Sequence, residues 1–334
     1  MAPSGVIMVT GAAGGLGCAI AAEIASSPLL APTYRGIYAV RNPSQAPALA
    51  RALQRGHSAP DHLHEIVPLD LEHLDSVRAL AANINERVAK GDIPRIRALL
   101  LNAGYLELEK HTWVEDGLDT TWTVNYLSQW LLTLLLLGSM DREHGRIVVL
   151  GSHTHDPHDK FNKGSSSGQF EDEKWTTILG VSIEPLAKGT WSPNDGSPPV
   201  YAGLRRYGAS KLCLAMMISE LQDRLNRDPP LSNISISGID PGWMATGISR
   251  THPMHYFVST VMPWVAGMLS WLQPSGMYRT PSRSAKDVIA VTFGTGPISG
   301  VDTKGLYFKG AVKSEMSAEA RDQDKRKMVW RGER

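Results

Sequence analysis

The chain has 334 residues, 42% of them hydrophobic, with 34 Lys and Arg against 33 Asp and Glu for a formal net charge of +1. That is enough apolar material for a sizeable core, and the balanced charge, with no long basic or acidic block, argues against a nucleic-acid partner. The two cysteines, Cys18 and Cys213, make a disulfide framework untenable, fit a reducing compartment, and read as small buried apolar residues inside predicted helices.

In chain order, the apolar run Val6–Val9 predicts a first strand and Gly15–Ser26 a first helix. Further strands are predicted at Gly36–Val40, at Glu65–Leu69 ending on Asp70, at Arg97–Leu101, Arg146–Leu150, Ile234–Ile239 and Gly305–Phe308. Long apolar helices are predicted over Leu118–Leu137, and from near Tyr207 to before Pro229-Pro230. Strands alternating with helices predict an α/β protein: a Rossmann-type doubly wound parallel sheet of about seven strands with helices on both faces, in one domain over residues 1–334. From His153 to Arg206 the chain turns polar and rich in Gly, Ser, Pro and Asp, which reads as an insertion (153–206) near the active site. A substrate-covering segment is expected at 243–283, where Trp243, Met244, Trp264 and Trp271 suit a bulky apolar ligand; core packing is the competing account. The stretch Arg321–Arg334 mixes both signs and reads as a solvated helix or tail. No basic-then-apolar leader is evident, so a cytoplasmic location is expected. Phe257–Leu272 is short for a membrane span and holds Pro263 and Gly267, leaving peripheral membrane contact as the alternative.

Two motifs carry the chemistry. Thr10-Gly11-Ala12-Ala13-Gly14-Gly15-Leu16-Gly17 follows a strand and opens a helix. Gly11 permits the tight turn, Gly15 the close approach of a pyrophosphate, Gly17 the packing of the helix, and the helix N-terminus offers free N–H groups to phosphates. The second strand ends in Val40-Arg41 rather than an acid, so nothing there repels a ribose 2′-phosphate, and Arg41 offers it a guanidinium fork. The reading is NADP(H). Asp70 is placed to bind the adenine amino group or, alternatively, to cap the next helix. In Tyr207-Gly208-Ala209-Ser210-Lys211, the lysine lies one helical turn beyond the tyrosine. Its charge, beside that of a nicotinamide ring, favours tyrosinate and makes Tyr207 a usable acid–base.

With these motifs the sequence resembles the short-chain dehydrogenase/reductase family over nearly its whole length. Asn102-Ala103-Gly104 resembles the family's post-strand motif beside the adenine ribose, with Leu101 where many members have a second Asn. Asn125 and Ser152 match the remaining members of the Asn-Ser-Tyr-Lys tetrad, with Tyr207 and Lys211. Asp240-Pro241-Gly242-Trp243-Met244-Ala245-Thr246 resembles the segment touching the nicotinamide, and Leu71 follows the adenine-side Asp70. Arg279-Thr280-Pro281 before a helix at Ser284–Phe293, Gly305–Phe308 and Trp330 resemble the retinol dehydrogenase and protochlorophyllide reductase branch.

The resemblance implies hydride transfer from NADPH to a lipophilic ketone, such as a steroid, retinoid, terpenoid or polyketide, or the reverse oxidation of an alcohol. Ser152 would orient the carbonyl, Tyr207 donate the proton, Lys211 lower the Tyr207 pKa, and Asn125 hold a relay water. A tailoring role in secondary metabolism follows by analogy. Same-site epimerisation or dehydration, and a non-catalytic NADP-binding sensor or scaffold, are the alternatives. The two long helices resemble those that pair into a four-helix interface, so a homo-oligomer, dimer or tetramer, is expected. His153, His155 and His158 with Asp156 and Asp159 could be imagined around a metal, but a polar loop beside the site accounts for them; no metal is expected, and His153 is taken as a substrate contact.

Overall fold

The apolar runs fold as β1 (Gly5–Thr10), β2 (Tyr34–Val40), β3 (His64–Pro68), β4 (Ile96–Leu101), β5 (Arg146–Leu150), β6 (Ser235–Asp240), β7 (Tyr307–Lys309) and β8 (Val312–Ser314). They come from a computed structural model that describes residues 3–54, 62–162, 168–193, 196, 198–244 and 279–332. Among these residues the strands make one sheet in the order β3-β2-β1-β4-β5-β6-β7-β8. β1 to β7 pair in parallel, and β8 returns antiparallel to β7. The chain reverses direction across the sheet between β1 and β4, so their carboxyl ends open a crevice of the kind that binds ligands in doubly wound sheets.

Alternation along each strand builds two cores. Val6, Met8, Leu99, Leu101, Ile147 and Val149 face one layer; Ile7, Val9, Ala98, Leu100, Val148 and Leu150 face the other. The helices Leu74–Lys90, Ser128–Leu136 and Pro199–Leu225 cover the first face; Gly15–Ser26 and Pro281–Phe293 cover the second. Each fully buried Val, Leu or Ile contributes roughly 1.5–3 kcal/mol.

Four features depart from the sequence reading. The sheet has eight strands rather than seven, because Gly310, at φ +57, turns the chain into a short edge strand. A Cβ there would fall 2.3 Å from the guanidinium of Arg279, which is ion-paired with buried Asp287. The helix expected over Leu118–Leu137 is broken into Thr120–Trp122, a π-turn at Thr123–Leu127, and Ser128–Leu136. The helix expected from Tyr207 begins at Pro199, a proline at its first position, so the last part of the polar segment is helical and Tyr207 lies two turns inside. The C-terminal helix Gln323–Arg331 is not merely solvated: Val329 is buried, Trp330 meets Trp130 edge-on at 5.8 Å, and Arg224 lies 4.3 Å above the Trp330 ring.

That C-terminal helix, with short turns from the 168–193 stretch, covers the 199–225 helix, which is buried almost continuously from Gly208 to Ile218. The expected pairing of this helix with a second subunit would have to displace the chain's own packing. The polar stretch after β5 is itself tied down. Arg205 donates to Ser192 Oγ at 2.7 Å and lies 4.0 Å above the Trp175 ring, and Leu179 N–H donates to Glu319 at 2.8 Å. Among the described residues no helix is long and apolar enough to cross a membrane. The aromatic and Met-rich run after Met244, with the apolar run to Leu272, lies outside the described residues.

Candidate active site

The glycine loop fits a dinucleotide's phosphates. Gly11 has φ +62, and a Cβ on it would sit 2.6 Å from Ala103 Cα. A Cβ on Gly17 would strike Gly11 O at 2.4 Å, so this glycine lets the helix seat against the loop itself. Gly14 caps the helix without a side chain and no acid stands in its first turn, which leaves the exposed Gly14–Gly15 corner and its N–H groups to an anion. Leu16 turns inward to the core. Thr10 is fully buried; its hydroxyl donates to Gln129 Oε1 and accepts from Ala103 N–H, both at 3.0 Å. Asn102 donates to Thr10 O at 2.9 Å and Gly11 O at 3.1 Å. These residues therefore brace the loop, and Gly104 follows at the crevice. Gln129, which also donates to Ala103 O at 2.9 Å, was not singled out in the sequence; it stands one turn beyond Asn125.

Past the ends of β2 and β3, Arg41 donates to Glu72 Oε1 at 2.7 Å, and its Nε lies 3.9 Å from Asp70 Oδ1. Asp70 does not cap the next helix, whose N-cap is His73; it caps its own turn by accepting from Glu72 N–H at 3.0 Å. Leu71 is buried, its carbonyl accepting from Ser128 Oγ at 2.6 Å.

At the other end of the crevice the tetrad residues converge. Ser152, just past β5, hydrogen-bonds the Tyr207 hydroxyl. Lys211 donates to Leu150 O at 2.8 Å, and its ammonium lies 5.5 Å from the Tyr207 ring centroid. Burial raises the Tyr207 pKa well above the usual tyrosine range; the charge of Asp240 adds to this and the Ser152 hydrogen bond opposes it. Burial pulls the pKa of Lys211 itself down to about 8, against the opposing charge of Asp240. The side chain of Asn125 is fully engaged. It accepts from Tyr105 N–H at 2.7 Å and donates to Tyr105 O and Ser210 Oγ, each at 2.9 Å. Ser210 Oγ in turn donates to Tyr207 O at 2.7 Å. Asn125 thus clamps the post-β4 loop to the Tyr207 helix, and its main-chain carbonyl, in the π-turn, accepts from Gln129 Nε2 at 3.4 Å.

Two residues beside the tetrad were underread. Burial pushes Asp240 up, but His153, whose Nδ1 lies 3.7 Å from Asp240 Oδ2, and the Gly242 N–H at 2.9 Å outweigh it and hold the carboxyl below its usual range. His155 is buried; its Nδ1 donates to Ser152 O at 2.6 Å while Nε2 accepts from Ser317 N–H at 3.1 Å, which fixes the neutral tautomer. Burial depresses its pKa. His153 packs edge-on to Phe161 at 5.9 Å. Pro241 O accepts from Ser284 Oγ, Gly242 takes φ +79, and Trp243 and Met244 continue at the crevice, half-buried; Thr246 lies outside the described residues.

The short chain dehydrogenase family model matches residues 5–162. The chain is 43% identical to "Short-chain dehydrogenase iccH" of Talaromyces variabilis, over 99% of this chain and 94% of that protein. This chain belongs to the short-chain dehydrogenase family. It is also 27% identical to human retinol dehydrogenase 13, over 98% of this chain and 83% of that one, in keeping with the branch suggested by the C-terminal motifs. The NADPH-bound carbonyl reductase from chicken fatty liver shares the fold, with a TM-score of 0.58 at 18% identity, covering 94% of this chain and 100% of that one. As a short-chain dehydrogenase the chain is an oxidoreductase, of a family whose members bind small substrates and typically oligomerise.

Proposed function

We propose that this short-chain dehydrogenase is an NADPH-dependent carbonyl reductase, or the corresponding alcohol dehydrogenase, acting on a lipophilic ketone or alcohol. The observation that carries the reading is the convergence of the Ser152 and Tyr207 hydroxyls, with the Lys211 ammonium across the tyrosine ring. The glycine loop would hold the pyrophosphate, Arg41 the 2′-phosphate, Asp70 the adenine, and Lys211 and Gly242 the nicotinamide end. When bound, NADPH supplies the hydride. Ser152 donates a hydrogen bond to the substrate oxygen, Tyr207 delivers its proton to that oxygen as charge develops there, and paired donors aimed at a developing oxyanion are the main source of rate. Burial keeps Tyr207 protonated until charge develops on the substrate oxygen. Asn125 positions Tyr207 through Ser210.

Phe161, packed on His153, half-buried Trp243 beside Gly242, and the retinol dehydrogenase relative support an apolar substrate. An oligomer would use a surface other than the covered 199–225 helix. The test is NADPH oxidation by purified protein with a panel of steroid, retinoid, terpenoid and polyketide ketones, beside Tyr207→Phe. Turnover that falls on the order of a thousandfold in the variant, with NADPH affinity retained, is expected. No turnover of any ketone or alcohol, or a fully active variant, sinks the reading.

A further inference from the structure

The end of β3 places a carboxylate where the cofactor argument needs a free cation. Arg41 follows β2 and Glu72 follows β3, 31 residues apart in sequence, yet a guanidinium N–H of Arg41 meets Glu72 Oε1 at 2.7 Å. Asp70 Oδ1 lies 3.9 Å from Arg41 Nε and accepts the Glu72 N–H at 3.0 Å, so the turn that presents Glu72 is pinned by a second acid. Tyr105 stands within electrostatic reach of both Glu72 and Arg41, its hydroxyl donating to Glu107 at 3.0 Å. One cation thus faces two carboxylates before any ligand arrives. The Arg41 side chain is 60% exposed and that of Glu72 30%, so the pair is screened and readily exchanged.

We infer that Glu72 is a specificity-determining residue of the adenosine site, competing with the 2′-phosphate of NADP(H) for the Arg41 guanidinium and so limiting the preference for NADP(H) over NAD(H). The inference rests on the reading of Arg41 as the phosphate's partner. To engage a phosphate, Arg41 must leave Glu72, and the released carboxylate then stands beside a group of nearly two negative charges. The neutral 2′-hydroxyl of NADH asks for no such exchange. Removing the Glu72 charge therefore favours NADPH selectively, by about two- to fivefold, the worth of one exposed ion pair that Arg41 no longer has to give up.

The experiment is calorimetric binding of NADPH and of NADH to purified wild type, Glu72→Gln, Glu72→Ala, Arg41→Ala and the Arg41→Ala/Glu72→Gln double variant, with thermal unfolding to check that each folds. Expected are a several-fold tighter NADPH complex in both Glu72 variants, unchanged NADH affinity, a smaller gain at high salt, and loss of most of the gain once Arg41 is absent. An unchanged NADPH-to-NADH ratio in Glu72→Gln, or weaker NADPH binding, overturns the inference, as does a gain that persists in full without Arg41. The underlying reading fails separately: if Arg41→Ala leaves the ratio untouched, Arg41 does not hold the phosphate, whatever Glu72 does. A ratio that collapses in Arg41→Ala but ignores Glu72 removes only the role of Glu72.

Discussion

Replacing Lys211 by Met should stabilise the protein without cofactor while disabling it. Lys211 is 3% exposed, and burial takes its pKa from 10.5 to about 8. The unfolded chain therefore holds this proton up to higher pH than the native state does. Between pH 8 and 10.5 the unfolded state binds more protons, so native stability rises with pH across that window; below pH 8 the native protein carries the full cost of a buried charge. At ~1.4 kcal/mol per pH unit the cost near neutrality is about 3 kcal/mol. Against it stands the hydrogen bond to Leu150 O, whose loss costs about 1–2 kcal/mol. The net gain for Lys211→Met at pH 7 is thus about 1–2 kcal/mol, or roughly 2–5 °C in melting temperature for a chain of this size. The assay is thermal unfolding of wild type and variant from pH 7 to 9.5, and the advantage should shrink by about 2 kcal/mol over that range as wild-type Lys211 sheds its proton. A variant no more stable than wild type at pH 7, or an advantage that ignores pH, refutes the reasoning.

Asp240→Asn removes a charge that raises the proton affinity of Tyr207, so the alkaline limb of the pH–rate profile for ketone reduction should move to lower pH; a limb that stays or moves upward contradicts the electrostatic account. His155 must stay neutral to accept from Ser317, and its depressed native pKa means that the unfolded chain protonates first as pH falls below 6.5. Native stability is then lost from that point down to the native pKa, and His155→Gln should flatten the acid side of the stability profile; an unchanged slope between pH 6.5 and 5 would show that His155 does not set it.

The parallel sheet was legible because most of its strands are apolar runs, and Asn125, Ser152, Tyr207 and Lys211 could be picked out as candidates because they stand in order along its elements. β8 was not: three residues, two of them exposed, carry no alternation to read. The true start of the Tyr207 helix was hidden because Pro199 sits among the Gly, Ser and Pro residues that suggested a loop. Glu72 and His155 were missed as functional neighbours for one reason: their partners, Arg41 and Ser317, come close only when separate stretches of the chain fold together. The C-terminal helix reads as solvated by its charge, and only packing reveals that Val329 and Trp330 face inward.

The hairpin at the end of the sheet has a bearing on solubility. An open parallel strand presents a row of unsatisfied N–H and C=O groups on which another molecule's strand could grow. Here β7 is capped by β8, a strand of three residues with exposed Val312 and Lys313 at its outer margin and a φ-positive glycine at its turn. Such an edge is too short and too charged to template further pairing, so at this end the sheet is closed against growth into aggregates by the same Gly310 turn that seats Arg279.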